Sequence, residues 1–249
     1  MIDGEVFPIG LVVRGRPCLV VGGGRVAGRK TGALLRCGAR VTLVAPEVST
    51  AIDDLTADGL LGDGGCGPPL DVRVRRYRRG EAAGYRLVFA ATGVAEVDRA
   101  VWEDAEAAGV WVNAADDPAH CSAVLPAVHR DGPVTIAVST GGASPALASW
   151  ARTRAAAALG PHLGTLARLL AEARRAVQGA GGSTEAVDWH GLLHGPLPDL
   201  VRAGRLDDAR ALLSTAALRQ GRPGRQRRAR LDTGVSLRHA PHAPTRDTG

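Results

Sequence analysis

The sequence predicts an α/β protein: an N-terminal parallel sheet flanked by helices, then a small β-hairpin region, then a C-terminal helical domain. Three observations carry this. Short apolar runs alternate with helical periodicity through the first 115 residues, the pattern of a doubly wound sheet. After Pro118 the alternation gives way to two strand-like runs around a turn. From Pro145 onward only helical patterns recur.

Residues 17–22 (PCLVVG) form an apolar run that ends in glycine, and a helical pattern follows over 26–36. Gly38 stops that helix, and 40–45 (RVTLVA) is a second apolar strand. The stretch 57–69 is rich in Gly and Pro and reads as a loop. Residues 71–75 alternate like a strand, 86–91 read as a buried strand, 95–108 as a helix and 110–114 as another strand. Runs over 123–128 and 134–139 flank Arg130-Asp131-Gly132-Pro133, a turn signal, and together predict a hairpin. Ser144 is placed to cap a helix that carries Pro145 in its first turn. Helices are expected over 145–158 and 161–178, split by Gly160-Pro161, with weaker patterns at 195–203 and 205–217. Asp207 and Asp208 sit favourably in the first turn of the last. The expected organisation is a sheet domain over 1–115, a hairpin region over 116–146, a helical domain over 147–217 and a disordered tail over 218–249.

The composition, 45% hydrophobic and 22% charged, is that of an ordinary globular chain. No stretch approaches the roughly 20 apolar residues of a membrane span, and the acidic start lacks the features of a signal peptide. The four cysteines, Cys18, Cys37, Cys66 and Cys121, show no metal-site spacing, and a reducing cytoplasm is expected. The net charge of +6 belongs to the stretch from Arg219 onward, which holds eight arginines and two aspartates. The body is therefore neutral, and the high pI is no ground for a nucleic-acid binder. Lys30 is the only lysine, so a bias toward arginine acts on the whole chain.

Gly22-Gly23-Gly24-Arg25-Val26-Ala27 fits G-x-G-x-x-G/A, between a predicted strand and a predicted helix. Gly22 makes the tight turn, Gly24 lets a pyrophosphate approach the backbone, and the small Ala27 lets the helix pack on the sheet. The pattern is that of a Rossmann dinucleotide site. The acid that grips the ribose belongs about 20 residues on, where the strand ends Val44-Ala45-Pro46-Glu47. Glu47 fills that role or is a solvated loop acid. No arginine stands there to receive a 2′-phosphate, which favours NAD over NADP. Ala91-Thr92-Gly93 makes a second small-residue turn at the carboxyl edge of the sheet.

Asn113-Ala114-Ala115-Asp116-Asp117-Pro118 clusters an amide and two carboxylates at the end of a strand, where ligands of such sheets bind. One reading is a turn with a helix cap; the other makes one aspartate a base or a group that receives a metal ion. Ser139, Thr140, Gly141 and Gly142 form a small polar turn. It either offers hydrogen bonds to a ligand or simply precedes a helix. His120 either approaches an incoming metal or is a polar surface residue, and no resident metal is predicted. His190, His194, His239 and His242 are assigned no role.

The segments VVGGGRVAGRK (20–30), VTLVAPE (41–47), VFAATG (88–93), NAADDPAHCSAVLPA (113–127) and PVTIAVSTGGASPALA (133–148) occur in one order and spacing. Together they resemble the precorrin-2 dehydrogenase/sirohydrochlorin ferrochelatase family, the N-terminal module of siroheme synthase, over roughly residues 6–215. The stretch 138–145 is the most specific part. No counterpart of the family's methyltransferase domain occurs in these residues. The resemblance implies oxidation of precorrin-2 to sirohydrochlorin by NAD⁺, and in bifunctional members insertion of Fe²⁺ at the same site. It implies Asp116 as the catalytic aspartate and Gly22, Gly24, Arg25, Val26, Pro46, Glu47 and Thr92 as NAD contacts. Asn113, Ser139, Thr140, Gly141 and Gly142 are candidate contacts to the tetrapyrrole substrate. In some relatives the position of Thr140 is a phosphorylated serine. The substrate carries eight carboxylates, and Arg25, Arg29, Lys30 and Arg152 are candidates to face them, although Arg29 and Lys30 are equally readable as solvated. A homodimer formed through the hairpin is also implied. Two alternatives stand beside the bifunctional enzyme: a dehydrogenase without chelatase activity, and a non-catalytic NAD-sensing module.

Overall fold

The computed structural model describes residues 5–57 and 70–220. The expected loop at 57–69 and the arginine-rich tail lie outside these but for Ala57, which ends a helix, and residues 218–220; Cys66, His239 and His242 lie outside altogether.

Five strands, β1 (Pro17–Val21), β2 (Arg40–Ala45), β3 (Leu70–Val74), β4 (Leu87–Ala90) and β5 (Trp111–Ala114), form one sheet in the order β3-β2-β1-β4-β5. Every pairing is parallel. The chain steps outward from β1 to β3 and then crosses back to β4. A crevice therefore opens between the carboxyl ends of β1 and β4, where ligands of this architecture bind.

The strands read as continuous apolar runs because both faces are covered. Cys18, Val20, Val41, Leu43, Leu87 and Phe89 point to one side and pack with Ala27, Leu34 and Leu35 of α1 (Arg25–Arg36) and Ile52 and Leu55 of α2 (Thr50–Ala57). Leu19, Val21, Val44, Val88, Ala90, Val112 and Ala114 point to the other and pack with Val101 and Ala105 of α3 (Ala95–Ala107). Asn113 lies between two residues of the second face, so it belongs to the α1 face, opposite its β4 partner Phe89. Gly38, at φ 76°, ends α1 in the left-handed conformation expected of it. Cys18 is fully buried on the α1 side; burial first, then Cys37, push its thiol up to about 11, so it is inert packing.

The hairpin differs from expectation. Its strands are β6 (Ala127–Asp131) and β7 (Val134–Val138), joined by Gly132 and Pro133 alone. Residues 123–126 are not strand. The segment just before them is used elsewhere: the amides of Ser122 and Ala123 both donate to the Val112 carbonyl (each 2.9 Å), and Cys121 bridges Asn113 in antiparallel fashion. Pro126 cannot donate to a ladder, and pairing begins only after it.

α4 (Pro145–Leu159) packs on β6 and β7, so it belongs with the hairpin rather than with a helical domain starting at 147. Compact units divide at Gly164/Thr165. The second unit holds most of α5 (Leu163–Gly179) with α6 (Trp189–His194), α7 (Leu197–Arg202) and α8 (Leu206–Gln220). Its core is Leu169, Leu197, Val201, Ala209 and Leu213. No helix among the described residues is long and apolar enough to cross a membrane.

Candidate active site

The glycine turn is fixed by two close approaches. Gly22 has φ 126°, and a β-carbon there would stand 2.2 Å from the Ala91 carbonyl oxygen. At Gly23 a β-carbon would stand 1.9 Å from the carbonyl oxygen of Glu47. The β1–α1 turn is thus clasped between the turn after β4 and the loop after β2. The Ser49 amide closes the clasp on the Gly23 carbonyl at 2.9 Å. Gly24 differs: nothing lies within 4 Å of the place its β-carbon would occupy. It is the N-cap of α1 without any side-chain cap, so the first amides of the helix have no capping side chain to bond. Such a cradle, with small residues around an uncapped helix N-terminus, fits a dinucleotide pyrophosphate.

Gly22, Gly24, Arg25, Val26, Pro46, Glu47 and Thr92 therefore converge around one turn. Pro46 and Glu47 are exposed just beyond the last residue of β2. The Thr92 hydroxyl is already engaged, donating to Asp98 Oδ1 at 2.8 Å, while the Thr92 amide donates to the same oxygen at 3.1 Å. Asp98, on α3 and 9% exposed, is the residue that holds this turn. One acid in a helical run carries no signal of its own, and the sequence left it unremarked. Gly28 was also missed: a β-carbon there would meet Ala51 at 3.0 Å, so α2 packs closely on α1. Replacing Asp98 by Ala leaves the half-buried Thr92 amide without an acceptor. The expected cost is about 1–3 kcal/mol of stability together with weaker dinucleotide binding, to be read by urea denaturation and NAD titration. Unchanged values in both would show that the turn holds itself.

At the end of β5 the amide of Ala115 donates to the Ala90 carbonyl at 2.8 Å, which ties this turn to the end of β4. Asp116 follows at φ 61°, one of two non-glycine residues with positive φ among the described residues. Its side chain is exposed. Asp117 turns the other way: its Oδ2 lies 2.6 Å from Nδ1 of His120, whose ring meets Trp102 edge-on at 4.5 Å. The Cys121 thiol donates to the carbonyls of Ala114 and Asp117 (both 3.3 Å), and the Asn113 amide donates to the Ala123 carbonyl at 2.9 Å. Asp117, His120, Cys121 and Asn113 thus knit the turn, and Asp116 is left pointing out of it. Among the described residues no group of three or more His, Cys, Asp or Glu side chains is arranged to hold a metal ion.

The Ser139–Gly142 turn is bonded to itself. The Gly141 amide donates to Ser139 Oγ, the Ser144 amide donates to Thr140 Oγ1, and Thr140 Oγ1 donates to the Ser144 carbonyl. Ser144 caps α4 by accepting from the Leu147 amide at 3.1 Å. Both hydroxyls at 139 and 140 thus shape the approach to α4. Among the basic candidates Arg25 and Arg29 line a groove of about 250 Å³ between α1 and α2, and Arg152 bonds Ser149 on its own helix. Lys30 is not solvated: it is half-buried, its ammonium 5.4 Å from the centre of the Phe89 ring.

The fold and the glycine cradle define a Rossmann-type dinucleotide-binding protein with a free carboxylate at the end of β5. Comparison with known proteins agrees. Residues 9–127 match a family described as "Putative NAD(P)-binding", and residues 131–154 match the family "Sirohaem biosynthesis protein central". The siroheme synthase of Methylococcus capsulatus is 40% identical over 224 residues, covering 88% of this chain and 45% of that protein. The siroheme synthase of Chromobacterium violaceum is 39% identical over 209 residues, covering 83% of this chain and 43% of that protein. The solved structure of SirC, a precorrin-2 dehydrogenase, is similar over its whole length and 86% of this chain, with a TM-score of 0.64 at 24% identity; that likeness concerns the fold. The chain belongs to the family of the siroheme synthase N-terminal module. It spans less than half the length of these curated relatives.

Proposed function

We propose that this chain oxidises precorrin-2 to sirohydrochlorin with NAD⁺ in siroheme biosynthesis. The observation that carries the reading is the Asp116 carboxylate, free of partners in its own turn and tied through Ala115 to the strand beside the glycine cradle.

In this reading the uncapped amides of α1 at Arg25 and Val26 hold the pyrophosphate, Gly24 leaves room for it, and Glu47 accepts from a ribose hydroxyl. The nicotinamide supplies the hydride acceptor. One hydride and one proton leave the macrocycle in this step, and Asp116 accepts the proton. A carboxylate is ionised near neutral pH and is able to serve as a general base. Asn113 and the Ser139–Gly142 turn are assigned to the substrate, with backbone rather than hydroxyl groups as donors at 140. Insertion of Fe²⁺ as a second substrate releases two pyrrole protons, and the same carboxylate is the natural first acceptor. A free carboxylate of this kind has no use in a module that only senses NAD. A homodimer through β6 and β7, in a reducing cytoplasm, completes the proposal.

The test is anaerobic incubation of the purified protein with precorrin-2 and NAD⁺, following NADH and the sirohydrochlorin spectrum. Absence of both products would sink the dehydrogenase reading. Fe²⁺ added in a second step separates the bifunctional enzyme, in which insertion outpaces the protein-free rate, from a dehydrogenase alone.

A further inference from the structure

The turn after β5 holds two adjacent aspartates of the same chemistry, and the structure treats them differently. Asp117 stands at the N-cap of the 3₁₀ turn Pro118–His120, yet its carboxylate caps no amide there. It meets His120 instead, with Oδ2 2.6 Å from Nδ1. A carboxylate only accepts, so Nδ1 carries the hydrogen and donates. The Asp117 carbonyl is held as well, accepting from the His120 amide at 3.2 Å and from the Cys121 thiol at 3.3 Å. His120 is in turn seated on α3. Its ring meets the Trp102 ring edge-on at 4.5 Å, and Trp102 packs against the core of that face. The His120 side chain is 26% exposed, so little water competes for these contacts.

Asp116 lies between two anchored neighbours. Ala115 is bonded to the Ala90 carbonyl at the end of β4, and Asp117 to His120. Asp116 itself holds φ 61°, a backbone conformation that a non-glycine residue keeps only where its surroundings impose it. α3 makes the arrangement more than local. Asp98 accepts from the hydroxyl and the amide of Thr92, and Trp102 stands one helical turn further along the same face. One helix therefore holds the turn assigned to the dinucleotide and, through His120, the turn of the proposed base.

We propose that His120 is a positioning residue for Asp116: by tying Asp117 to α3 it imposes the left-handed backbone at Asp116 and leaves that aspartate alone of the pair to serve the site. Without the tie Asp117 is free to swing out, the turn relaxes toward ordinary backbone angles, and the base loses its fixed place relative to the dinucleotide turn. Misplacing a reacting group by about 1 Å is enough to slow a reaction severely. The group that matters on His120 is the Nδ1–H donor. Asparagine, with its amide N–H donors, supplies a replacement for it, and alanine does not.

The proposal rests on the dehydrogenase reading only for its activity arm. A spectroscopic arm is independent of it. A residue at positive φ brings its amide and Hα protons close together and gives a strong NOE between them. In protein labelled selectively with ¹⁵N-aspartate, Asp116 is expected to show this signal in the wild type and in His120→Asn, and to lose it in His120→Ala. Should His120→Ala fold poorly, Asp117→Ala cuts the same tie from its other end and is expected to lose the signal too. An Asp116 that keeps it in these alanine variants would overturn the proposal. In the activity arm His120→Ala is expected to keep NAD affinity and lower kcat about 10-fold, and His120→Asn to restore most of that loss. In the Asp117→Ala background His120→Ala should lower kcat no further, since both changes remove one contact. A wild-type kcat in His120→Ala, equal losses in His120→Ala and His120→Asn, or additive losses in the double variant would overturn it as well. If the chain oxidises no precorrin-2 while the NOE follows the variants as expected, the tie stands and the assigned reaction falls.

Discussion

Asp116→Asn is expected to slow precorrin-2 oxidation by about 100-fold or more while leaving NAD affinity and stability nearly unchanged. The backbone makes this a clean substitution. Asp116 holds φ 61°, in the left-handed region. Asn visits that region about as readily as Asp, whereas most side chains pay roughly 1–2 kcal/mol to enter it. The contacts that fix the turn belong to its neighbours: Ala115 to Ala90, Asp117 to His120, and Cys121 to the carbonyls of Ala114 and Asp117. None passes through the Asp116 carboxylate. The variant therefore loses a base and little else. Stopped-flow measurement of NADH formation with precorrin-2, beside a fluorescence titration of NAD, checks both halves. A wild-type rate would move the chemistry to another residue, and Asp117→Asn would be the next variant to assay.

The second large effect is in the glycine turn, where adjacent positions are expected to answer differently. Gly23→Ala puts a methyl 1.9 Å from the Glu47 carbonyl oxygen and 3.0 Å from the Ala45 side chain. Neither neighbour gives way easily, since one is backbone and the other is buried in the core. Stability should fall by about 3 kcal/mol, read by chemical denaturation. Gly24→Ala meets nothing within 4 Å and keeps φ −84°, which any residue adopts. Its fold should be intact, and its NAD affinity should drop about 10-fold, because the methyl occupies the space left for phosphate. Equal stabilities for the two variants would show that the clasp on Gly23 opens at little cost.

These two glycines show where sequence reasoning stops. The G-x-G-x-x-A pattern was legible because a strand, a turn and a helix surround it, and β1, α1, β2 and α3 lie within about two residues of their expected limits. What the pattern could not supply is the tertiary partner. Gly23 occupies a position the motif leaves free, and its need for glycine comes from the loop after β2 passing behind it. Asp98 was invisible for the same reason, and α2 is a helix of only two turns that ends where the Gly- and Pro-rich stretch begins. The hairpin was legible in kind but displaced in register. An apolar run from 123 looked like its first strand until the structure laid residues 121–123 along β5 instead. Asp116 could be singled out from the family resemblance, but not the division of labour between it and Asp117. That division depends on a φ angle and on a histidine three residues further on. Lys30 was noted only as a basic residue, since nothing local reveals that a side chain on a helix reaches over a ring on a distant strand.

The segment along β5 has a bearing on how the protein behaves in bulk. A parallel sheet that ends on a bare strand offers a row of open amides and carbonyls to any passing chain and invites aggregation. Here Ser122 Oγ accepts from the Val112 amide, and the Ser122 and Ala123 amides take up the Val112 carbonyl, so that stretch of the edge is already occupied. The same short segment carries Cys121, whose thiol secures the turn that presents Asp116. Loosening it would expose a sticky edge and slacken that turn at once. Variants at Ser122 should therefore be lost to insoluble protein before their activity can be weighed, and this stretch of the sequence has two independent reasons to resist change.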